Sequence, residues 1–108
     1  MVLLRAIIRP EKVDDVLAAL LDAGHTSVTK MDVYGRGKQK GIKIGEVFYD
    51  ELPKVMLLMV IEDDVKDEIV KIIFDSAKTG EHGNFGDGRI FITPVDKAYT
   101  ISSMSEGL

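Results

Sequence analysis

The apolar residues of this chain follow the order strand, helix, strand twice, and this doubled pattern constrains the fold more than any other feature of the sequence. In the first half, residues 2–8 are apolar apart from Arg5, which predicts a strand covered on at least one face. Pro10 opens a segment with the i, i+3, i+4, i+7 apolar spacing of a helix, and Gly24 is placed to end it. Residues 26–34 alternate between polar and apolar side chains and predict a second strand.

The second half repeats this order. Residues 54–62 are apolar on both faces, which predicts a strand in the middle of a sheet. Either Asp63 or Asp64 is expected to cap a second helix that has one apolar face. Residues 89–95 predict the last strand, and Pro94 places it at a sheet edge because proline cannot donate a ladder hydrogen bond.

Together the two halves predict an α+β domain of the ferredoxin-like type, with the order βαββαβ, an antiparallel sheet and two helices on one face. The chain has the length of one such domain, spanning residues 1–108. The second apolar face of the sheet would need cover from another subunit, so we expect an oligomer. Residues 35–52 break the pattern and predict a mobile loop, and residues 96–108 predict a loose C-terminal tail.

The composition argues against several classes of protein. A formal net charge of −4 argues against a dedicated nucleic-acid or anionic-membrane binder, since both need a basic face. The absence of cysteine excludes disulfides, thiolate nucleophiles and cysteine-based zinc sites. The longest apolar run, residues 55–61, is far shorter than the ~20 residues of a membrane span. Arg5 and Arg9 interrupt the first apolar segment, which is unlike a signal peptide, so we expect a cytoplasmic protein without membrane insertion.

A glycine-rich segment, residues 79–89, lies between the second helix and the last strand. Glycine permits positive φ, so successive N–H groups can point toward an anionic oxygen, and Arg89 adds a forked cation suited to phosphate. The segment does not match the Walker pattern, and it leads into a strand, whereas the dinucleotide fingerprint opens a helix. A plain turn between helix and strand is the alternative that the residues leave open.

Four segments, in order, resemble the signature of the PII signal-transduction family over nearly the whole chain. They are RAIIRP at 5–10, GRGKQKG at 35–41, LPK at 52–54 and TG to GDGRIF at 79–91. The resemblance implies a trimer with a cleft at each subunit interface, where ATP or ADP binds competitively and 2-oxoglutarate binds together with Mg-ATP. It implies a regulator rather than an enzyme, with a target-binding loop at 35–52 and a nucleotide-binding loop at 79–89.

The resemblance also implies roles for individual residues. The implied nucleotide-binding residues are Ile7, Thr29, Gly35, Gly37, Lys38, Gly86, Asp87, Gly88 and Arg89. The implied 2-oxoglutarate ligands are Gln39, Lys40, Gly41, Lys54 and Gly86. Gln39 is also the implied protein ligand of Mg²⁺, a cation that prefers oxygen atoms and would be shared with ATP and 2-oxoglutarate.

Two loops depart from the common bacterial members of the family. The loop between Gly41 and Leu52 is a few residues shorter, and the spacing of Tyr49 from Pro53 does not match that of their uridylylated tyrosine, so we do not expect uridylylation. Residues 81–85 lengthen the nucleotide-binding loop, and His82 within it is expected to be an exposed loop histidine.

The 35–52 loop and the C-terminal ending resemble most the archaeal nitrogenase-regulating branch, the NifI proteins. This resemblance implies a homotrimer, or a hetero-oligomer with a paralogue, that inhibits nitrogenase when 2-oxoglutarate is low. Regulation of an ammonium transporter or another nitrogen enzyme is an alternative.

Thr100 and Ser102 stand where many relatives have phosphate-binding arginines, so a structural trimer with a degraded nucleotide site also stays open. A small enzyme would depend on loop carboxylates such as Asp87, and a nucleic-acid binder would need stacking aromatic residues beside the cations of the 35–52 loop.

Overall fold

A four-stranded antiparallel sheet with two helices on one face forms the frame of the chain, which confirms the predicted ferredoxin-like α+β fold. The structure is a computed structural model that describes residues 1–36, 42–44, 47–49 and 51–108. Its strands are β1 (Val2–Ile8), β2 (Thr29–Gly35), β3 (Ile42–Ile44), β4 (Val47–Tyr49), β5 (Leu52–Ile61), β6 (Gly88–Pro94), β7 (Tyr99–Thr100) and β8 (Ser105–Glu106). Its helices are α1 (Val13–Asp22) and α2 (Lys66–Ala77).

The main sheet has the strand order β2-β5-β1-β6, and all neighbouring strands are antiparallel. The strand predicted for residues 54–62 is β5 and lies between two others, as its apolar faces indicate. The strand predicted for residues 89–95 is β6 and forms an edge, as Pro94 indicates. The smaller β3–β4 hairpin belongs to the 35–52 loop.

The end of α1 follows from the predicted role of Gly24. Gly24 has a φ of +89°, and its N–H donates to the carbonyl of Leu21 at 2.9 Å. The N–H of His25 donates to the carbonyl of Leu20 at 2.8 Å. These two hydrogen bonds satisfy carbonyl groups that the end of a helix leaves without intrahelical donors.

The start of α2 differs from the prediction. Residues 63–65 form a 3-10 turn, and α2 begins only at Lys66, so neither Asp63 nor Asp64 occupies the N-cap position. The N-cap residues of the turn and the helix are Glu62 and Val65, and neither makes a side-chain cap hydrogen bond. Asp63 instead accepts a hydrogen bond from the N-terminal amine at 3.0 Å. The cap prediction was therefore wrong because the chain turns before the α-helix starts.

The core lies between the sheet and the two helices. Buried and partly buried residues alternate along β1, so that every second side chain points toward the helices. The buried apolar residues are Val2, Leu4, Ala6, Ile8, Val13, Val16, Leu20, Val55, Leu57, Met59, Ile61, Ile69, Ile73 and Ala77. The described residues include no helix that is long and apolar enough to cross a membrane.

The opposite face of the sheet, here called the open face, has no helix packed on it among the described residues. Strand register assigns to it Leu3, Arg5 and Ile7 on β1, Thr29, Met31 and Val33 on β2, Lys54, Met56, Leu58 and Val60 on β5, and Arg89, Phe91 and Thr93 on β6. Most of these side chains are apolar, and Met31 and Phe91 remain 45% and 46% exposed. This is the uncovered apolar face that the sequence predicts.

The C-terminal segment is ordered, and the expectation of a loose tail was wrong. β7 and β8 pair as a short antiparallel hairpin. The Thr100 hydroxyl closes the hairpin by donating to the carbonyl of Gly107 at 2.8 Å. A short polar strand pair of this kind has too little apolar alternation to be visible in the sequence.

Candidate functional site

The loop between α2 and β6 has a backbone that depends on its glycines. Gly80, Gly83, Gly86 and Gly88 all have positive φ, between +66° and +115°. At Gly88 the requirement is also steric, because a Cβ there would lie 1.7 Å from the carbonyl oxygen of Ile7 on the neighbouring strand. Glycine therefore lets β6 approach β1 directly at the point where the loop ends.

The Asp87 carboxylate holds this loop together. Its Oδ2 accepts hydrogen bonds from the backbone N–H groups of Thr79 and Asn84, both at 2.9 Å. Its Oδ1 accepts from the Thr79 hydroxyl at 2.7 Å and from Arg9 Nε at 2.9 Å. Burial alone would raise the pKa of Asp87, but the hydrogen bonds from Thr79, Asn84 and Arg9 outweigh it and hold the pKa well below its ordinary range. Asp87 therefore shapes the loop, and its four donors leave it poorly suited to accept a proton from a substrate.

Arg9 connects the loop to the end of β1. Its Nε donates to Asp87, and its Nη2 donates to the carbonyl of Phe85 at 2.9 Å. The Arg9 and Asp87 side chains are only 21% and 16% exposed, so this ion pair is partly shielded from water. Sequence reasoning assigned no role to Arg9, although the residue stands in the RAIIRP segment on which the resemblance rests.

Thr79 and Asn84 tie the two ends of the longer loop segment together. The Asn84 side-chain amide donates to the Thr79 carbonyl at 3.1 Å and to the Thr79 hydroxyl at 2.9 Å. Sequence reasoning missed both residues because nothing in the spacing of a polar loop predicts which side chains meet. His82 is 92% exposed, as expected of a loop histidine.

Lys54 reaches the same loop from β5. Its ammonium group donates a hydrogen bond to the carbonyl of Gly86. Partial burial and the nearby Arg9 guanidinium lower the pKa of Lys54 below its ordinary value. Gly35 lies beside Lys54, since a Cβ built on Gly35 would be 3.7 Å from Lys54 Cγ.

The structure brings most of the described candidate residues to one end of the sheet. Ile7 and Arg89 are register partners on β1 and β6. The residues that converge at this end are Ile7, Gly35, Lys54, Gly86, Asp87, Gly88 and Arg89. Thr29 lies apart, because β2 and β6 are opposite edges of the sheet. Gly37, Lys38, Gln39, Lys40 and Gly41 lie outside the described residues.

The arrangement suits an anion. Arg9, Lys54 and Arg89 bring three positive charges to this end of the sheet, against the two carboxylates of Asp87 and Glu11. The site is therefore locally positive in a chain whose formal net charge is −4. Such a local excess attracts phosphate or carboxylate groups.

The described part of the chain contains no group of three or more histidine, aspartate or glutamate residues that could hold a metal ion. The donor set around Asp87 also disfavours a cation at its carboxylate, which already accepts four hydrogen bonds. Gln39, the residue implied for Mg²⁺, is outside the described residues.

A groove in the described residues lies away from this loop. It has a volume of about 450 Å³ and runs between the two helices, along Ala19, Ala23 and Ile72. It is open and mostly apolar, and Asp22, Asp75 and Ser76 also line it. The loop at 79–89 is the better candidate site because its charged groups converge.

Comparison with known proteins gives a consistent result. The family model described as "Nitrogen regulatory protein P-II" matches residues 1–105. The chain is 56% identical over 108 residues to "Nitrogen fixation nifHD region GlnB-like protein 1" of Methanobacterium ivanovii, with 100% of both chains covered. It is 52% identical to the protein with the same description from Methanococcus maripaludis strain S2, again over 100% of both chains. It is 37% identical over 107 residues to "Nitrogen regulatory protein P-II" of Pasteurella multocida, covering 95% of this chain and 93% of the relative.

Proposed function

Because the chain belongs to the nitrogen regulatory protein P-II family, we propose that it senses ATP or ADP together with 2-oxoglutarate and regulates a protein of nitrogen fixation. Members of the family are signalling regulators, and trimers are typical of them. The observation that carries the proposal is the pre-shaped loop at 79–89, which Asp87 holds beside Arg9, Lys54 and Arg89.

The loop would bind the phosphate groups of the nucleotide. Backbone N–H groups of a glycine-rich turn and the Arg89 guanidinium are suitable donors to phosphate oxygens. Asp87 would contribute indirectly, since its carboxylate shapes the loop and would repel a phosphate that came close. Because the loop is already ordered by side-chain hydrogen bonds, little conformational entropy would be lost on binding.

A cleft between subunits explains the position of Thr29. Thr29 and Arg89 lie on opposite edge strands, separated by three strand spacings, or roughly 14 Å across the sheet. A neighbouring copy that brings its β2 edge to the β6 edge of the first copy would place both residues at one nucleotide. Ile7 and Gly35 would then contact the nucleotide from the copy that supplies the loop.

The effector 2-oxoglutarate would bind beside Lys54 and Gly86, with Gln39, Lys40 and Gly41 as further ligands. A lysine ammonium group suits one of its carboxylates. Gln39 would hold Mg²⁺, which when bound would supply positive charge that offsets the negative charge of the nucleotide and the effector. Lys54 would have to leave the Gly86 carbonyl or share its remaining protons with the effector.

The proposed target is nitrogenase. The names of the relatives from Methanobacterium and Methanococcus place those proteins in nif regions. We infer that this chain, as a homotrimer or with a paralogue, inhibits nitrogenase through residues 35–52 when 2-oxoglutarate is low. An ammonium transporter or another nitrogen enzyme is the alternative target.

Calorimetric titration tests the sensing part of this proposal. The purified chain is titrated with ATP and with ADP, each with Mg²⁺, and then with 2-oxoglutarate in the presence and absence of Mg-ATP. We expect both nucleotides to bind, and 2-oxoglutarate to bind only with Mg-ATP. Arg89→Gln should weaken nucleotide binding about 10- to 100-fold, the effect of losing one charge-assisted contact. Lys71→Gln, which changes an exposed lysine on α2, serves as the matched control.

Two results would contradict the proposal. If neither nucleotide binds while the chain still forms a trimer, the chain is a structural trimer with a degraded site, as the Thr100 and Ser102 substitutions suggest. If nucleotides and 2-oxoglutarate bind but nitrogenase activity and nitrogenase capture are unaffected by the chain, the target assignment fails and the sensing assignment stands.

A further inference from the structure

Arg5 is the one charged residue in the middle of the open face. It lies at the centre of β1, where its register partners are Leu58 on β5 and Phe91 on β6. On the same strand it stands between Leu3 and Ile7, whose side chains share the open face. A long cationic side chain is thus half-buried among apolar neighbours.

Arg5 and Arg89 are diagonal neighbours on this face. The pairs Arg5–Phe91 and Ile7–Arg89 form a two-by-two block across β1 and β6, with the arginines at opposite corners. Diagonal neighbours of this kind are about 7–8 Å apart between Cα atoms, which is within reach of two arginine side chains that converge. Within the described residues neither arginine side chain makes a hydrogen bond or an ion pair.

The two arginines are therefore like charges on diagonally neighbouring positions of one sheet face, and neither has a carboxylate partner among the described residues. No carboxylate is among the strand residues that the register places on the open face, and the nearby Asp87 already accepts four hydrogen bonds. Trimers are typical of the family, and a neighbouring copy that covered this face would make unpaired guanidinium groups there costly to bury. An oxyanion between them would remove both the repulsion and the burial cost.

We propose that Arg5 is a second phosphate-binding arginine, which acts with Arg89 on the phosphate groups of a bound nucleotide. The proposal rests on the proposed function, because it assigns a further residue to the same cleft. Ile7 and Phe91, at the other corners of the block, provide an apolar wall beside the two cations. The block therefore suits an anion that carries a flat, apolar group, as a nucleotide does.

The test is a calorimetric titration of the trimer with ATP, AMP and inorganic triphosphate, using wild type, Arg5→Gln, Arg5→Lys and Arg89→Gln. We expect Arg5→Gln to weaken ATP binding about 10- to 100-fold, the range for one charge-assisted contact. AMP should be affected less, because it has fewer phosphate groups to bridge the two arginines. Arg5→Lys should recover part of the loss, since it keeps the charge without the forked geometry. Lys71→Gln is the control, and sedimentation equilibrium confirms that each variant assembles like the wild type.

The outcomes separate this inference from the proposed function. If wild type binds ATP and Arg5→Gln binds it equally well, the inference is wrong, Arg5 is neutralised by the neighbouring copy, and the proposed function stands. If wild type binds triphosphate but not ATP, and Arg5→Gln loses triphosphate, the oxyanion site stands and the nucleotide function fails. If wild type binds neither, both fail. If Arg5→Gln no longer assembles and Arg5→Lys assembles but binds ATP like wild type, Arg5 is an interface residue and the inference is overturned.

Discussion

Replacing Asp87 with asparagine should destabilise the fold because one carboxylate satisfies four donors. In Asp87→Asn, the amide oxygen can keep the N–H groups of Thr79 and Asn84, and the amide nitrogen can donate to the Thr79 hydroxyl. Arg9 Nε would then face a donor and lose its partner in a site that is only 16–21% exposed. Losing one charge-assisted hydrogen bond and leaving its donor unpaired corresponds to about 1.5–3 kcal/mol in the free energy of unfolding at neutral pH.

The same substitution has a predicted pH dependence. The pKa of Asp87 is lowered in the folded chain, whereas in the unfolded chain the carboxyl takes up a proton at ~4. The stability that Asp87 contributes is therefore fully present above that value and is lost progressively as the pH falls toward the folded pKa. The difference between wild type and Asp87→Asn should accordingly shrink as the pH is lowered from about 7 to about 3.

Urea unfolding followed by circular dichroism, at fixed protomer concentration, measures this difference, since the stability of an oligomer depends on concentration. Asp96→Asn, at an exposed carboxylate after β6, is the control and should change the free energy of unfolding by less than about 0.5 kcal/mol. The reasoning is refuted if Asp87→Asn costs no more than this control at neutral pH. It is also refuted if the difference stays constant down to about pH 3.

Three further predictions follow from single contacts. Gly88→Ala should lower the free energy of unfolding by about 3 kcal/mol or more, because the added Cβ would lie 1.7 Å from the carbonyl oxygen of Ile7. Gly24→Ala should lower it by only about 1–2 kcal/mol, because Gly24 has a φ of +89° but open space around it. Equal losses for the two variants in urea unfolding would contradict this prediction. Thr100→Val removes the hydroxyl that donates to the carbonyl of Gly107, so amide hydrogen exchange in residues 99–107 should accelerate while exchange in the main sheet is unchanged. If the amides of the hairpin stay protected from exchange, this hydrogen bond is dispensable. Lys54→Gln should weaken 2-oxoglutarate binding about 10- to 100-fold in calorimetry with Mg-ATP, and an unchanged affinity would remove Lys54 from the effector site.

The main elements could be predicted because local spacing decides them. β1 spans Val2–Ile8 as the apolar run indicates, and β5 and β6 occupy the central and edge positions expected from their composition. The N-cap of α2 and the C-terminal hairpin could not be predicted in this way. The first depends on a 3-10 turn that displaces the helix start, and the second on a hydroxyl-to-carbonyl hydrogen bond between residues 100 and 107.

The sequence by itself determined the fold class, the family and the position of a glycine-rich loop, because periodicity, turn chemistry and ordered motifs are local properties of the chain. Only the tertiary structure showed that Arg9 and Asp87, 78 residues apart, form the pair that shapes the loop. It also placed Arg5 diagonally across from Arg89. Strand register decides which distant side chains share a face, and a shift of one residue would send every second side chain to the other side. For this reason the charges of the site meet only through the pairing of β1 with β5 and β6.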